Sequence, residues 1–321
     1  MGKRTGPKHG SRSYWHRKRA AKLVPRMRSW SQKGKGLTGF LGYKAGMGQV
    51  LMTEDRNSPQ KNQEITRPVT FIETPPIFIY SAIGYVETLD GLKTKSEVAV
   101  SNPPKQLQRS MTVAKKPKQT PEDFEKHVAD FQEVRVLACS QPWKAGLKQT
   151  PDVFELAVVG KDSKEQWDFA KTILGKEVPV SQVFADGEFV DVIAVTKGKG
   201  WQGVVKRFGV SLNIRKATKK RRHGGSLGPE RQGKVMYTIP RAGQMGFHRR
   251  TERNKRILKI AQPAEAEKMT PKGGFTHYGT LANEFLVVDG SIPGPVKRAV
   301  RLRRALIEQH ILKPDLKKFV V

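Results

Sequence analysis

Residues 189–209 read FVDVIAVTKGKGWQGVVKRFG, and two folds compete for them. The first seven are β-branched and apolar, the texture of a buried strand. After Thr196 and Lys197, Gly198-Lys-Gly-Trp-Gln-Gly-Val-Val fits G-x-G-x-x-G-x-V, the string shared by dinucleotide-binding folds and kinase glycine-rich loops. Were it such a site, FVDVIAV would open a parallel α/β sheet. A dinucleotide site needs a helix directly after the glycines and an acid about twenty residues on. VVKRFGV is β-branched and ends at Gly209, which predicts no helix, and Lys219–Arg222 stand where the acid belongs. The kinase set V-A-I-K, H-R-D and D-F-G is missing from the chain. The nucleotide reading falls. The glycines are read instead as letting backbone approach phosphates, with Lys197 and Lys199 supplying charge.

The strand then runs into an arm, 196–259, with nineteen Lys/Arg against two acids (Glu230 and Glu252) and ten glycines. A core cannot hide that charge; a polyanion lying along it explains it. Arg215–His223 is a compact cationic run, continued through Arg231, Lys234 and Arg241 to HRRTERNKR at 248–256. The candidate phosphate contacts are Lys197, Lys199, Arg215, Lys216, Lys219, Lys220, Arg221, Arg222, Arg231, Lys234, Arg241, Arg249 and Arg250. Ten such contacts would make log affinity fall with log salt at a slope near −7 to −9, by roughly 0.7–0.9 per phosphate. Gln244 and His248 are candidates for base or sugar hydrogen bonds. Trp201 either stacks on a base or, following a strand, closes the barrel. The interspersed Gly, Pro and Thr make no helix period, so an irregular loop is expected, suited to folded RNA better than to a DNA groove.

Working outward, strand-like runs recur on both sides of the arm. GFLGYKAGMGQVLMT with a turn at Lys44–Gly46, RPVTFIET, IFIYSAIGYVETLDG and SEVAVS precede it; RILKIA, FLVVDG and RAVRLRRAL follow. Short strands with Pro-Pro and Asp-Gly punctuation suggest a barrel or sandwich. The arm is then an excursion between strands of one discontinuous barrel, with 37–104 as its first part and 179–195 plus 256–306 as its second. Residues 105–178 read as an α/β insertion. Thr120 caps a helix that begins at Pro121, and a second helix runs from a Ser163 cap to Gly175. Residues 1–36 mix Lys/Arg with Gly, Pro and Ser, carry no acid and should be disordered alone, although Tyr14, Trp15 and Trp30 suit either base stacking or packing on the globule. Residues 307–321 form a basic C-terminal segment.

The net charge of +31 is therefore uneven: 1–35 carries +12, 196–259 carries +17, and 36–195 with 260–291 carries −4. That pattern is a near-neutral globule with basic appendages, a mark of nucleic-acid binding. The single cysteine, Cys139 in VRVLACS, excludes an internal disulfide and reads as a buried core residue in a reducing compartment. No run approaches about twenty apolar residues, so no membrane span is expected, and the basic N-terminus lacks a signal peptide's apolar stretch. The histidines show no metal-ligand spacing and no catalytic constellation emerges, so no metal, cofactor, small-molecule substrate or enzymatic activity is expected. The alternative is a nucleic-acid chaperone or chromatin-type protein with the same electrostatics.

GFLGYKAGM (39–47), DVIAVTKGKGWQGVVKRFG (191–209), RAGQMGFHRRTERNKRI (241–257), GPKHGSRSYWHRKRA (6–20) and VDGSIPGP (288–295) resemble the ribosomal protein L-three family of the large subunit, in its longer archaeal/eukaryotic form. The resemblance implies a translation-factor-type β-barrel with extensions in rRNA, an internal loop reaching toward the peptidyl transferase centre, and a role early in subunit assembly. It implies neighbouring large-subunit proteins as partners and a cytoplasmic, ribosomal location. It also adds Lys8, His9, Arg17, Lys18 and Arg19 of the N-terminal stretch as RNA contacts. At one place the chain departs from the family. Relatives carry a Trp at the loop tip; here Gly228 and Pro229 are followed by Glu230, so a role resting on that indole does not transfer.

Overall fold

A computed structural model describes residues 14–34, 36–114, 119–216, 219–228, 233–307 and 314–320. It is mainly β, and the chain separates into two compact units: residues 22–195 with 250–321, and residues 1–21 with 196–249. The larger unit opens with β1 (Gly36–Leu37), β2 (Gly39–Thr53), β3 (Glu64–Glu73), β4 (Ile77–Thr88) and β5 (Gly91–Ala99). It continues with α1 (Pro121–Glu125), β6 (Glu133–Cys139), β7 (Val153–Val159), α2 (Ser163–Ile173), β8 (Glu177–Val178) and β9 (Phe189–Val195). The smaller unit contributes β10 (Trp201–Gln202), α3 (Val204–Phe208) and β11 (Gly243–Gln244). The chain then returns through β12 (Arg249–Ala261), α4 (Ala266–Met269), β13 (Phe285–Asp289), β14 (Ala299–Arg304) and β15 (Leu316–Val320).

In the larger unit, β14, β9, β12, β13, β3 and β2 pair in that order, and β14 also pairs with β2, so the pairings close into a circuit. The first part of β2 meets β14 (Phe40↔Leu302) and its end meets β15 (Met52↔Leu316). Side chains alternate across this sheet, and both faces are covered. On β13, Phe285 and Val287 join one cluster with Val69, Phe71 and Met52, while Leu286 and Val288 join a second. Burial on both faces is why FLVVD reads as a continuous apolar run instead of an alternating one.

The second sheet runs β1-β7-β6-β4-β5, with β8 on β4. Strands β4 and β5 therefore share a sheet with β6, β4 beside it and β5 beyond β4, although the sequence groups 37–104 as one set of strands. Alternation and turn residues fix which face of a strand is apolar, not which strand is its neighbour. The change of sheet falls at Pro75-Pro76, where neither residue can donate to a ladder. The ring of Phe124 lies 4.4 Å from that of Trp167 on α2 and 4.8 Å from Phe131, in the same cluster as Val134, Val136 and Leu156.

Several local expectations need correction. The turn expected at Lys44–Gly46 is a bulge inside an unbroken β2. There Lys44 is buried, and its Nζ donates to Ile292 O at 2.8 Å and Gly294 O at 3.3 Å. Thr120 does cap α1, in a reciprocal capping box with Asp123, but the helix lasts little more than one turn. The N-cap of α2 is Asp162, and the Ser163 hydroxyl instead donates to Val128 O. Cys139 is buried as expected, and burial together with the Glu177 charge pushes its thiol up to about 12.

The largest correction concerns residues 22–34, expected to be disordered alone. They form a strap on the larger unit, with Met27 and Ser31 buried. Arginines of β14 hold its carbonyls at four-residue intervals: Arg301 donates to Pro25 O, Arg303 to Ser29 O and Arg304 to Lys33 O. The Arg301 guanidinium also lies 5.8 Å from the Trp30 ring and 4.8 Å from that of Phe154, so Trp30 packs on the protein. Arg303 is buried in a forked bond to Asp191, at 3.1 and 2.8 Å. The strap lacks an apolar period because it makes no ladder of its own; side chains from a distant strand satisfy its backbone.

Candidate nucleic-acid interface

The smaller unit is built on a backbone ladder between 196–202 and 243–248. Thr196 N donates to His248 O at 3.0 Å, Lys199 N to Met245 O at 3.0 Å, and Met245 N to Gly200 O at 2.9 Å. The pairing ends in β10–β11, with Trp201 opposite Gln244. This apposition explains the two glycine strings, because they face each other. Gly246 has φ +72°, and a Cβ there would lie 2.2 Å from Lys197 O. Only glycine fits. The glycine-rich motif that mimics a nucleotide site thus makes one side of a hairpin base.

A helix does form after the glycines, against expectation. It is α3, one turn long, running from the Gly203 cap to Gly209. β-branching lowers helix propensity only slightly, and Val204 gains by burying. Five residues do not make the long helix of a dinucleotide fold, and the acid is still missing. Arg207 on α3 donates through Nη1 to Arg241 O at 2.8 Å, and its guanidinium lies 4.8 Å from the Phe208 ring. A Cβ at Gly243 would come within 2.7 Å of that same Nη1, so the second motif glycine makes room for this arginine.

The N-terminal segment completes the unit. Ala20 N donates to Phe247 O at 2.8 Å, Arg17 Nη2 to Tyr237 O at 2.8 Å, and His248 Nδ1 to Lys18 O at 3.0 Å. The Trp15 ring meets Phe208 with centroids 4.8 Å apart. Among the aromatics of the N-terminal stretch, Trp15 therefore packs here but stays partly open, and Tyr14 is exposed.

Beyond α3 the character changes. None of the described residues from 210 to 240 is buried. Arg215, Lys216, Lys219, Lys220, Arg221, Arg222 and Lys234 are exposed, and so are Leu212, Ile214, Leu227, Val235, Met236 and Tyr237. A few local bonds shape the segment: Asn213 N donates to Arg221 O at 3.0 Å, and Gly225 N to His223 Nδ1 at 3.1 Å. The unit as a whole carries 21 Lys/Arg and a single acid, Glu230. Such a surface cannot neutralise itself. Its chemistry is that of a ready-made polyanion contact, with apolar side chains placed among the cations.

The expected contacts sort as follows. Lys197, Lys199 and Arg241 are exposed at the ladder, and Arg17, Lys18 and Arg19 join it from the N-terminal side. Trp201 is 76% exposed, so it does not close a sheet and presents its face outward. His248 is buried with Nδ1 committed to Lys18 O, so that nitrogen braces the N-terminal segment. Gln244 spends its amide N–H groups on Met245 O and Gly246 O, leaving its oxygen as an acceptor. Arg249 and Arg250 are half-buried at the start of β12 instead of lying in an irregular loop, and burial lowers the pKa of Arg250. Lys8, His9, Pro229, Glu230 and Arg231 lie outside the described residues; Gly228 just precedes that tip. Arg207 and the Trp15–Phe208 contact are absent from the sequence-based set. The signal for Arg207 was its place between an apolar pair and a glycine.

With this geometry in hand, comparison with known proteins gives one answer. The family model described as Ribosomal protein L3 matches residues 1–318. The chain is 46% identical over 310 residues to the large ribosomal subunit protein uL3 of Archaeoglobus fulgidus, covering 94% of this chain and 92% of that one. It is 44% identical over 317 residues to the uL3 of Methanothermobacter thermautotrophicus, covering 95% and 93%. It is 42% identical over 309 residues to that of Methanopyrus kandleri, covering 94% and 85%.

Proposed function

The chain belongs to the ribosomal protein L3 family, a family of structural ribosomal proteins and not of enzymes, and from that premise we propose that it binds large-subunit rRNA by charge neutralisation and shape-filling. The observation that carries this is the stretch from 210 to 240. It exposes cations and apolar side chains together and buries none of its described residues. Exposed apolar groups are unfavourable in water, and a dense row of cations gains by displacing the counterions condensed on a polyanion. One partner that both stacks and carries phosphates answers both needs.

In this reading the circuit of six strands is a β-barrel of the translation-factor type, and the two compact units act as globule and RNA arm. The arm orders fully only on rRNA and extends toward the peptidyl transferase centre, and the protein joins the subunit early in assembly. Its partners are rRNA and adjacent large-subunit proteins, and its place is the cytoplasmic ribosome. The test is sedimentation of cell extract through a moderate salt wash. The chain should stay with the large subunit and leave it on ribonuclease digestion. Co-purification with DNA that survives ribonuclease would replace this reading with the chromatin-type one.

A further inference from the structure

Two arginines of the smaller unit are held in place by backbone carbonyls, with no carboxylate against them among the described residues. Arg207 is fixed on three sides: Nη1 bonds Arg241 O at 2.8 Å, the guanidinium lies 4.8 Å from the Phe208 ring, and it occupies the space where a Gly243 side chain would be. Arg17, more than a hundred residues away in sequence, bonds Tyr237 O at 2.8 Å, four residues before the carbonyl that holds Arg207. Each guanidinium has five N–H donors and spends one on a carbonyl. A carbonyl orients a cation but does not cancel its charge. Among the described residues of this unit there is no carboxylate to do so. The Trp15–Phe208 ring contact, with centroids 4.8 Å apart, brings the two arginine-bearing segments together, and after burial the neighbouring Arg17 charge is the cause that lowers the Arg207 pKa. Beside them, the Trp15 ring meets Phe208 at a tilt, with 38% of its surface open.

We propose that Arg17 and Arg207 form a paired guanidinium clamp for one RNA backbone phosphate, with the Trp15 ring offered to the adjoining base. A phosphodiester supplies what the site lacks: a negative charge and oxygens matched to guanidinium forks. The aromatic face beside the charge suits a nucleotide better than a free anion. Gly243 is then a positioning residue for the clamp. Its missing side chain allows Arg207 to reach its position, so the glycine of the RAGQMG string serves the clamp as well as the turn. The inference rests on the rRNA-binding reading and sharpens it to a single phosphate.

The test uses the full-length chain and transcribed large-subunit rRNA from the same organism, with phosphate-ethylation interference and binding across a salt series. Arg17→Gln, Arg207→Gln and Gly243→Ala should each lose sensitivity at the same phosphate and bind about tenfold more weakly. Each should lower the salt slope by about one contact, roughly 0.7–0.9. The Arg17→Gln/Arg207→Gln pair should be only a few-fold worse than either alone, because one contact is shared. Gly243→Ala is decisive, since it keeps every charge. Gly243 has an ordinary φ and its new Cβ meets only the flexible end of Arg207, so the fold survives. Two different phosphates for the two arginines, or wild-type binding by Gly243→Ala, would overturn the clamp while leaving rRNA binding intact. Salt-independent or absent binding by the wild type would overturn the rRNA-binding reading beneath it.

Discussion

The two units use arginine in opposite ways. In the larger, arginines turn inward: Arg303 forks onto buried Asp191, Arg256 onto Asp55, and Arg301 onto the Pro25 and Glu155 carbonyls. There a cation is a many-donor connector that ties strands and strap together. In the smaller, Arg17 and Arg207 are oriented by carbonyls, Arg207 also by the Phe208 ring, and Arg215, Arg221 and Arg222 are exposed. There a cation is an unfinished contact. Total charge does not separate these uses, since the larger unit is itself net positive at +11. What separates them is the local supply of carboxylates: 28 in one unit, one in the other.

The sharpest way to break this contrast is to remove the unfinished part. Replacing residues 210–240 with a short Gly-Ser linker deletes eight Lys/Arg. It should weaken rRNA binding by at least about 10³-fold near physiological salt and lower the salt slope by about 6–7. Thermal melting of the larger unit should be nearly unchanged. In the free wild-type chain, protease should cut within 215–234 well before it cuts the strands. An arm as resistant as the strands would sink the contrast. Next in size is Asp191→Ala, which leaves Arg303 buried without its partner. That should cost about 3–5 kcal/mol of stability by denaturant titration. Arg215→Ala, exposed in the arm, should change stability by no more than about 0.5 kcal/mol.

The contrast also explains what was legible in the sequence. Strand positions around the arm were legible because burial on one or both faces writes a pattern into residue type; β9 and β13 are examples. The strap was not, because its order comes from Arg301, Arg303 and Arg304, nearly three hundred residues away, acting on backbone atoms that leave no trace in side-chain identity. RAVRLRRAL reads as a strand, with no sign that three of its arginines turn onto backbone. Within the arm, exposed cations were readable from density of charge alone. The bracing bond of His248 was not legible, because a histidine beside arginines gives no hint that Lys18 O will claim its Nδ1. Arg207 was missed for the converse reason: its importance comes from the space at Gly243, a relation visible only once the two strings are apposed.

A smaller effect separates two glycines of the smaller unit. Gly246 and Gly225 have nearly the same φ, +72° and +71°, but a Cβ at Gly246 strikes Lys197 O while nothing lies within 4 Å of one at Gly225. Gly246→Ala should therefore open the hairpin base, at a cost of about 1–3 kcal/mol, read as faster hydrogen exchange at the Lys199 and Met245 amides. Gly225→Ala carries the backbone strain alone, about 1 kcal/mol or less. Equal exchange in the two variants would mean that the base is no better built than the tip.

The smallest effect is on pH dependence, and it belongs to the larger unit because that is where the carboxylates are. The Arg256 fork holds the Asp55 carboxyl below its ordinary value of 3.8, its hydrogen bond outweighing the opposing burial. With the folded pKa below the unfolded one, the unfolded chain takes up more protons in acid. The contribution of the pair is thus fully present above the unfolded value and is lost as pH falls through the folded value. Asp55→Asn removes it at every pH. Wild type should melt above Asp55→Asn at neutral pH, and the two curves should converge as pH falls from about 4 toward about 2. A constant gap across that range would mean that packing of Arg256, not charge, holds the contact. No similar term exists for the described residues of the smaller unit, which contain no carboxylate side chain.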